Sequence, residues 1–171
     1  LDPEARTIDV SFVVERGEQA RFGRVNVIGN VTTRDRVIRR ELTFAEGDVF
    51  NGEALRRSRQ KVNNLGFFEA VDVVPRPREG NVIDVDITVK ERLTGMIQFG
   101  VGYSSEDKLS GQLRLSESNL FGRGHSLALT VEYSSTRRNY SLSFTEPAVL
   151  DGPWSLGFSV YDMLKEYDEY D

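Results

Sequence analysis

The residue types that carry chemistry are sparse in this sequence. The single histidine, His125, lies beside a predicted turn, and the absence of cysteine excludes a disulfide framework and a Cys-based metal site. Gly100 and Gly102 match part of a dinucleotide-binding fingerprint, but the third glycine and the following helix are missing. An acidic cluster near the C-terminal end could hold calcium, although a solvated loop is the simpler interpretation: Glu166, Asp168, Glu169 and Asp171. We therefore predict no catalytic residue, metal or cofactor, and no enzyme.

The charge of the chain gives no reason to expect nucleic acid as a partner. The formal net charge is −5, whereas a nucleic-acid-binding domain presents a basic face. One run of basic residues, Arg56, Arg57, Arg59 and Lys61, is predicted to form the solvated side of a helix. Charge is dense up to Glu91 and sparser beyond it, which predicts two structural units.

From Gly95 onward the sequence alternates between apolar and polar residues in successive runs. Side chains of a strand point alternately to two faces, so each run predicts an amphipathic strand, and short turns favour antiparallel neighbours. The first run places Ile97, Phe99, Val101 and Tyr103 on one face. Later runs begin near residues 109, 126, 140 and 154.

The polar face of these strands separates two interpretations. A soluble β-sandwich also alternates, but its outer face usually carries many Lys and Glu, whereas Ser, Gly, Gln and Thr predominate here. Aromatic residues lie near the strand ends, as in the girdles of outer-membrane barrels: Tyr103, Tyr133, Tyr140 and Trp154. The pattern favours barrel strands, with a soluble sandwich as the alternative. Because about eight strands are needed to close a barrel, we expect a fragment of a longer protein.

The first half of the chain predicts a small α+β module. Its strands are predicted at residues 22–28, 67–74 and 82–90. Helices are predicted from residue 33 and from Asn51, the second ending at Gly66, where a positive φ is expected. A proline-containing loop is predicted at 75–80. The order β-α-α-β-β predicts two helices on one face of a three-stranded sheet, and residues 7–15 predict one further strand without a partner.

Motifs within this organisation resemble a known family. In the module they are residues 27–30 (VIGN), Glu46-Gly47, residues 65–68 (LGFF) and residues 89–91 (VKE), which resemble a POTRA domain. In the strands they are residues 94–95 (TG), 99–103 (FGVGY), 119–124 (NLFGRG) and 144–147 (FTEP). Their order and spacing resemble BamA-type outer-membrane protein assembly factors over nearly the whole chain. The resemblance divides the chain into the end of a preceding POTRA domain (1–20), a POTRA domain (21–91) and the first five strands of an outer-membrane β-barrel (92–171).

The resemblance implies a fold class and a topology. The fold is an α+β POTRA module (β-α-α-β-β) followed by antiparallel transmembrane β-barrel strands of an incomplete barrel, in the bacterial outer membrane with the POTRA domain in the periplasm. Residues 119–124 and 146–153 then form periplasmic turns, and 104–108, 135–139 and 165–171 lie outside. The turn at 119–124 is interpreted first as a tight turn built on Asn and Gly, with docking on the POTRA module as the alternative.

The resemblance also implies two sheet edges that add strands. The client edge is the second POTRA strand: Phe67, Phe68, Glu69, Ala70, Val71, Asp72, Val73 and Val74. The lateral seam is the first barrel strand: Gly95, Ile97, Phe99, Gly100, Val101, Gly102 and Tyr103. Glu46 matches the acidic residue that contacts a lipoprotein partner through an arginine, and a plain loop carboxylate is the alternative interpretation.

The implied function is assembly and insertion of β-barrel proteins into the bacterial outer membrane by strand templating. The implied partners are unfolded clients, accessory lipoproteins and the lipid bilayer. Within the same superfamily, an autotransporter-assembly or two-partner secretion translocator is the alternative. In other classes, a passive outer-membrane channel predicts conductance without client folding, and a soluble β-rich binding module predicts a monomer without detergent.

Overall fold

The computed structural model describes residues 10–12, 18–105 and 108–165, which form two sheets. The acidic cluster at 166–171 lies outside the described residues, as does most of the strand predicted at 7–15; residues 10–12 have no regular structure. Among the residues that the structure describes, no helix has the length and hydropathy that a membrane-spanning helix requires.

The first unit has the predicted order β-α-α-β-β. Its elements are β1 (Arg21–Ile28), α1 (Asp35–Arg39), α2 (Gly52–Asn64), β2 (Phe68–Arg78) and β3 (Val82–Glu91). The sheet order is β1-β3-β2, so β3 is central, parallel to β1 and antiparallel to β2. Both helices pack through one apolar core, in which Val37, Ile38 and Val62 from the helices join Val85 and Ile87 of β3 at 0% exposure.

Helix α2 begins and ends where the sequence predicts. The Asn51 side chain accepts a hydrogen bond from the Glu53 backbone N–H at 2.9 Å and so caps the first turn. Gly66 follows the helix with φ +74°. The buried hydroxyl of Ser58 is satisfied because the Thr43 backbone N–H donates to it at 2.9 Å.

Strand β2 corrects one prediction: residues 75–78 belong to the strand rather than to a loop. Pro75 pairs with Val85, and Pro77 pairs with Ile83. A proline has no N–H to donate, so it is tolerated only where that position faces away from the ladder. Strand β2 lies at the edge of its sheet, and it therefore accepts both prolines without losing a bond to β3.

The second unit is a five-stranded antiparallel sheet. Its strands are β4 (Gly95–Ser104), β5 (Lys108–Leu120), β6 (His125–Ser134), β7 (Arg137–Glu146) and β8 (Leu156–Lys165), paired in chain order. Several predicted boundaries are wrong: Trp154 precedes β8, the outer turn between β6 and β7 is only 135–136, and Lys165 belongs to β8 rather than to a loop. Five further residues of the predicted turns also lie in strands: Ser104, Lys108, Asn119, Leu120 and Glu146. In each case ladder pairing extends the strand beyond the alternating pattern or stops it short.

The apolar face of this sheet is exposed. One row across the five strands is Ile97, Leu115, Leu129, Leu142 and Val160. In a soluble sandwich such residues are buried against a second sheet, yet Phe99 is 84% exposed and Phe158 is 57% exposed. This finding agrees with strands whose apolar face contacts lipid.

Candidate functional site

The edge of β2 that faces away from β3 is unpaired among the described residues. Within the predicted client edge, the side chains of Phe67 and Phe68 are buried in the core, and Phe67 precedes the strand. Val71 also points into the core, whereas Ala70, Asp72 and Val74 lie on the exposed face. The predicted residues therefore share one strand, but only its backbone and alternate side chains are accessible.

A bulge begins this edge. The pairing register shifts between Phe68 and Ala70, so Glu69 is the extra residue. The Lys90 ammonium lies 2.6 Å from the Glu69 carboxylate. This hydrogen bond, and then the charge of Lys90, lowers the pKa of Glu69 and raises the pKa of Lys90.

The second predicted edge is β4, which pairs with β5 over its whole length. Ile97, Phe99, Val101 and Tyr103 lie on the apolar face and are all well exposed. Gly100 and Gly102 lie on the other face, where a side chain at Gly102 would stand 3.1 Å from the Ser110 hydroxyl. These glycines leave a hollow beside the edge, lined in part by Gln112 and Glu132, which are hydrogen-bonded at 3.0 Å.

The turn between β5 and β6 docks on the β-α-α-β-β module. Asn119 is 5% exposed, and its amide nitrogen donates to the Thr33 hydroxyl at 2.9 Å. Its amide oxygen accepts a hydrogen bond from the Gly124 N–H at 2.8 Å. The Arg34 backbone N–H, at the start of α1, donates to the Gly122 carbonyl at 2.8 Å. The turn therefore has both of the roles considered above, since the same residues close the hairpin and contact the module.

Glu91 supports the loop that receives this turn. Its carboxylate accepts backbone hydrogen bonds from Thr32 at 2.8 Å and Thr33 at 2.6 Å. Burial opposes ionisation of this group, but the hydrogen bonds from Thr33 and Thr32 outweigh it and lower the pKa of Glu91. The last residue of the VKE motif therefore fixes, by two hydrogen bonds, the loop on which the turn docks.

A second contact joins Arg40, which directly follows α1, to the turn between β7 and β8. The Arg40 side chain is only 9% exposed, and its Nη1 atom lies 3.7 Å from the Asp151 carboxylate. A side chain at Gly124 would stand 2.7 Å from Arg40 Nη2, so the absence of a side chain there admits the guanidinium. Sequence reasoning did not find the contact roles of Thr33, Arg40 or Asp151, because no local motif marks them, and it included Glu91 only as the end of the VKE motif.

Glu46 lies in the loop between the helices with its side chain 56% exposed. Its carboxylate accepts a hydrogen bond from the Val25 backbone N–H at 3.0 Å, where a bulge interrupts β1, and it lies 3.9 Å from Arg39 Nη1. Glu46 thus contributes a hydrogen bond within the module, and its carboxylate is also accessible to solvent.

The remaining candidates have structural partners. His125 Nε2 lies 3.3 Å from the Glu146 carboxylate, and the imidazole contacts the edge of the Phe144 ring. In the described residues, no cluster of His, Asp and Glu has the arrangement of a metal site. Arg57 pairs with Glu53 at 3.1 Å on the solvated side of α2, as predicted.

Comparison with protein families matches both units. The POTRA family model (Surface antigen variable number repeat) matches residues 20–92, and the Omp85 superfamily domain matches residues 119–171. The chain is 38% identical over 98% of its length to the outer membrane protein assembly factor BamA of Nitratidesulfovibrio vulgaris. It is 36% identical over 92% of its length to the BamA of Neisseria meningitidis. It spans about a fifth of these curated relatives, covering 21% and 20% of them.

Solved structures agree with these matches. The crystal structure of BamA from Haemophilus ducreyi lacking POTRA domains 1–3 superposes with a TM-score of 0.84 at 30% identity, over 95% of this chain and 31% of that one. CdiB from Acinetobacter baumannii gives a TM-score of 0.59 at 20% identity, over 85% of this chain and 28% of that one, and shows a shared fold alone. The chain therefore contains a POTRA module followed by strands that match the Omp85 superfamily domain, and nearly its whole length is homologous to a part of BamA-type outer-membrane protein assembly factors.

Proposed function

We propose that the protein containing this chain assembles β-barrel proteins and inserts them into the bacterial outer membrane. Its barrel strands lie in that membrane, and the POTRA module lies in the periplasm. The proposal rests chiefly on the exposed apolar face of the five-stranded sheet, to which the POTRA module is joined directly. We further propose that residues 1–20 end a preceding POTRA domain, that 21–91 form one POTRA domain and that 92–171 begin the barrel.

Strand addition at the two edges is the proposed mechanism. An extended client segment pairs first with the backbone groups of the β2 edge through main-chain hydrogen bonds. The β4 edge then templates incoming strands in the membrane. Gly100 and Gly102 weaken its packing, because a strand glycine has no side chain to contact its neighbours. No cofactor or covalent step is needed, since the gain comes from backbone hydrogen bonds and apolar burial.

The Glu46 carboxylate is the proposed contact for an accessory outer-membrane lipoprotein. More than half of this side chain is exposed, so an arginine of a partner can reach it. The same carboxylate accepts a hydrogen bond from β1, so its substitution affects both the module and the partner. A substitution must therefore be followed by two separate measurements, one of folding and one of binding.

The test is a folding assay with the intact protein in liposomes. A urea-unfolded outer-membrane β-barrel client is added, and its folded fraction is followed by heat-modifiable gel migration. Val73→Pro removes an N–H that we infer to face the free edge, while Val73→Ala shortens the side chain and keeps that N–H. Because one hydrogen bond contributes about 1 kcal/mol, we expect client folding to slow roughly fivefold in the proline variant relative to the alanine variant.

Two results would contradict the proposal. Liposomes that conduct ions steadily but do not accelerate client folding indicate a passive channel. Acceleration that is equal in Val73→Pro and Val73→Ala removes the β2 edge from the mechanism. The similarity to CdiB does not favour a secretion translocator, since at 20% identity it concerns the fold alone.

A further inference from the structure

A groove runs between α2 and the free edge of β2. The residues that line it are Arg56, Arg59, Gln60 and Asn63 of the helix and Glu69, Ala70 and Val71 of the strand. A segment added to β2 as a further strand would lie in this groove, beside the helix. The helix side of the groove offers two guanidinium groups and two amides, so its chemistry suits an occupant that carries negative charge.

The backbone groups available at this edge are few. In an antiparallel pair, alternate residues direct both N–H and C=O away from the partner strand. Pro75 and Pro77 cannot donate to β3, so they and the residues of the same parity, Val71 and Val73, face the free edge. The two later residues that face this edge, Pro75 and Pro77, offer only carbonyl acceptors. Among these four residues only Val71 and Val73 offer an N–H donor to an added strand, which restricts the register of pairing along this part of the edge.

Arg59 already occupies one group in this short stretch. Its Nε atom donates to the Val71 carbonyl oxygen at 2.9 Å. This contact independently confirms that the Val71 backbone faces outward. An added strand that pairs with Val71 must displace the guanidinium from that carbonyl. The displaced Arg59 then lies in the groove, over the side chains of the incoming segment.

We propose that Arg59 selects which segments pair with β2, and that the preferred occupant is an extended client segment with a carboxylate side chain opposite Arg59. In the empty groove Arg59 donates to a neutral carbonyl. In the occupied groove a carboxylate accepts from the same guanidinium, and a charge-assisted bond replaces a neutral one. A segment without a carboxylate breaks the first bond and gains no replacement. This inference rests on the proposed addition of strands at β2.

The experiment uses the intact protein in lipid nanodiscs and synthetic nine-residue peptides of alternating Val and Thr. One glutamate is moved along the peptide position by position, and a second series carries glutamine instead. Binding is measured by fluorescence anisotropy of a dye on the peptide. We expect glutamate to bind about tenfold more tightly than glutamine at one position of the series, as one charge-assisted hydrogen bond would give.

Variants at two positions of α2 separate the role of Arg59 from general charge. In Arg59→Gln the preference for glutamate disappears. The glutamine peptide binds at least as tightly as before, because no guanidinium has to be displaced from the Val71 carbonyl. Arg57→Gln is the matched control: it removes the same charge from the same helix, but from a side chain that pairs with Glu53. We expect Arg57→Gln to prefer glutamate over glutamine as the unmodified protein does.

The outcomes distinguish this inference from the function on which it rests. Binding that is lost in Val73→Pro but shows no glutamate preference at any position overturns the role of Arg59 and leaves strand addition intact. A preference that survives Arg59→Gln also overturns it. If neither peptide series binds the unmodified protein or Arg59→Gln, strand addition at β2 is itself refuted.

Discussion

Replacing Gly122 by alanine should separate the POTRA module from the barrel strands. Gly122 has φ +68°, a left-handed conformation that favours glycine. A Cβ atom at this position would overlap the Thr32 carbonyl oxygen and stand 2.8 Å from the Thr32 carbonyl carbon. Both atoms belong to the backbone, so no rotation of a side chain can relieve the clash. The turn or the docking loop must move.

The magnitude follows from the contacts that this movement breaks. A left-handed alanine costs roughly 1–2 kcal/mol. The hydrogen bond from the Arg34 N–H to the Gly122 carbonyl contributes about 1 kcal/mol. If the buried Asn119–Thr33 bond opens as well, an unsatisfied group adds roughly 1–3 kcal/mol. The docked arrangement should therefore lose about 3–6 kcal/mol, enough to populate undocked orientations.

Two other glycines provide matched controls for this substitution. Gly80→Ala carries the conformational cost alone, because Gly80 has φ +80° and a Cβ atom added there would meet no other atom within 4 Å. Gly111→Ala carries neither cost, because its surroundings are open and its φ is not positive. Of these three glycines, only Gly122 combines a positive φ with a backbone clash. The series therefore separates local strain from loss of docking.

The assay measures the distance between the module and the sheet. Spin labels on cysteines that replace Lys61 of α2 and Ser105, which directly follows β4, report this distance by pulsed electron paramagnetic resonance in nanodiscs. Both positions are exposed, and this chain contains no cysteine. We expect a narrow distance distribution in the unmodified protein, Gly80→Ala and Gly111→Ala, and a broad one in Gly122→Ala. An unchanged narrow distribution in Gly122→Ala, with the module still folded, would refute the reasoning.

Three further predictions concern the partner contact, the lipid face and the docking loop. Glu46→Lys should weaken co-purification of a lipoprotein, and normal binding by this variant would count against the contact. Glu46→Gln can still accept the hydrogen bond from β1, so the unfolding free energy of the module should be unchanged. Leu142→Arg should destabilise the sheet in a bilayer by roughly 2–4 kcal/mol, measured by urea unfolding, whereas Ser141→Arg on the opposite face should not; equal losses would contradict the assignment of faces. Glu91 has a folded-state pKa below its ordinary 4.5, so the stabilisation that its carboxylate gives is present above pH 4.5 and is lost as the pH falls through the folded-state value. The difference in unfolding free energy between the unmodified protein and Glu91→Gln should therefore decrease as the pH falls. A difference independent of pH would argue against the ionised carboxylate.

Much of the fold could be predicted from the sequence because its signals are local. Alternation predicted the strands and their faces, since the side-chain period of a strand depends only on its backbone. Asn51 and Gly66 marked the ends of α2 because a cap and a positive φ are properties of single residues. Prediction failed for residues 75–78, since proline was interpreted as a break, whereas an edge strand admits it.

The sequence by itself determined the order of elements, the apolar face and the family resemblance. Only the tertiary structure decided that Asn119 contacts Thr33, 86 residues away, and that Arg59 donates to the Val71 carbonyl. It likewise decided that Glu46 caps a bulge in β1 as well as facing solvent. The physical reason is that hydrogen bonds between distant segments depend on how rigid elements pack against each other. Such packing produces no repeating pattern in the sequence, because a single polar residue is enough to form each of these contacts.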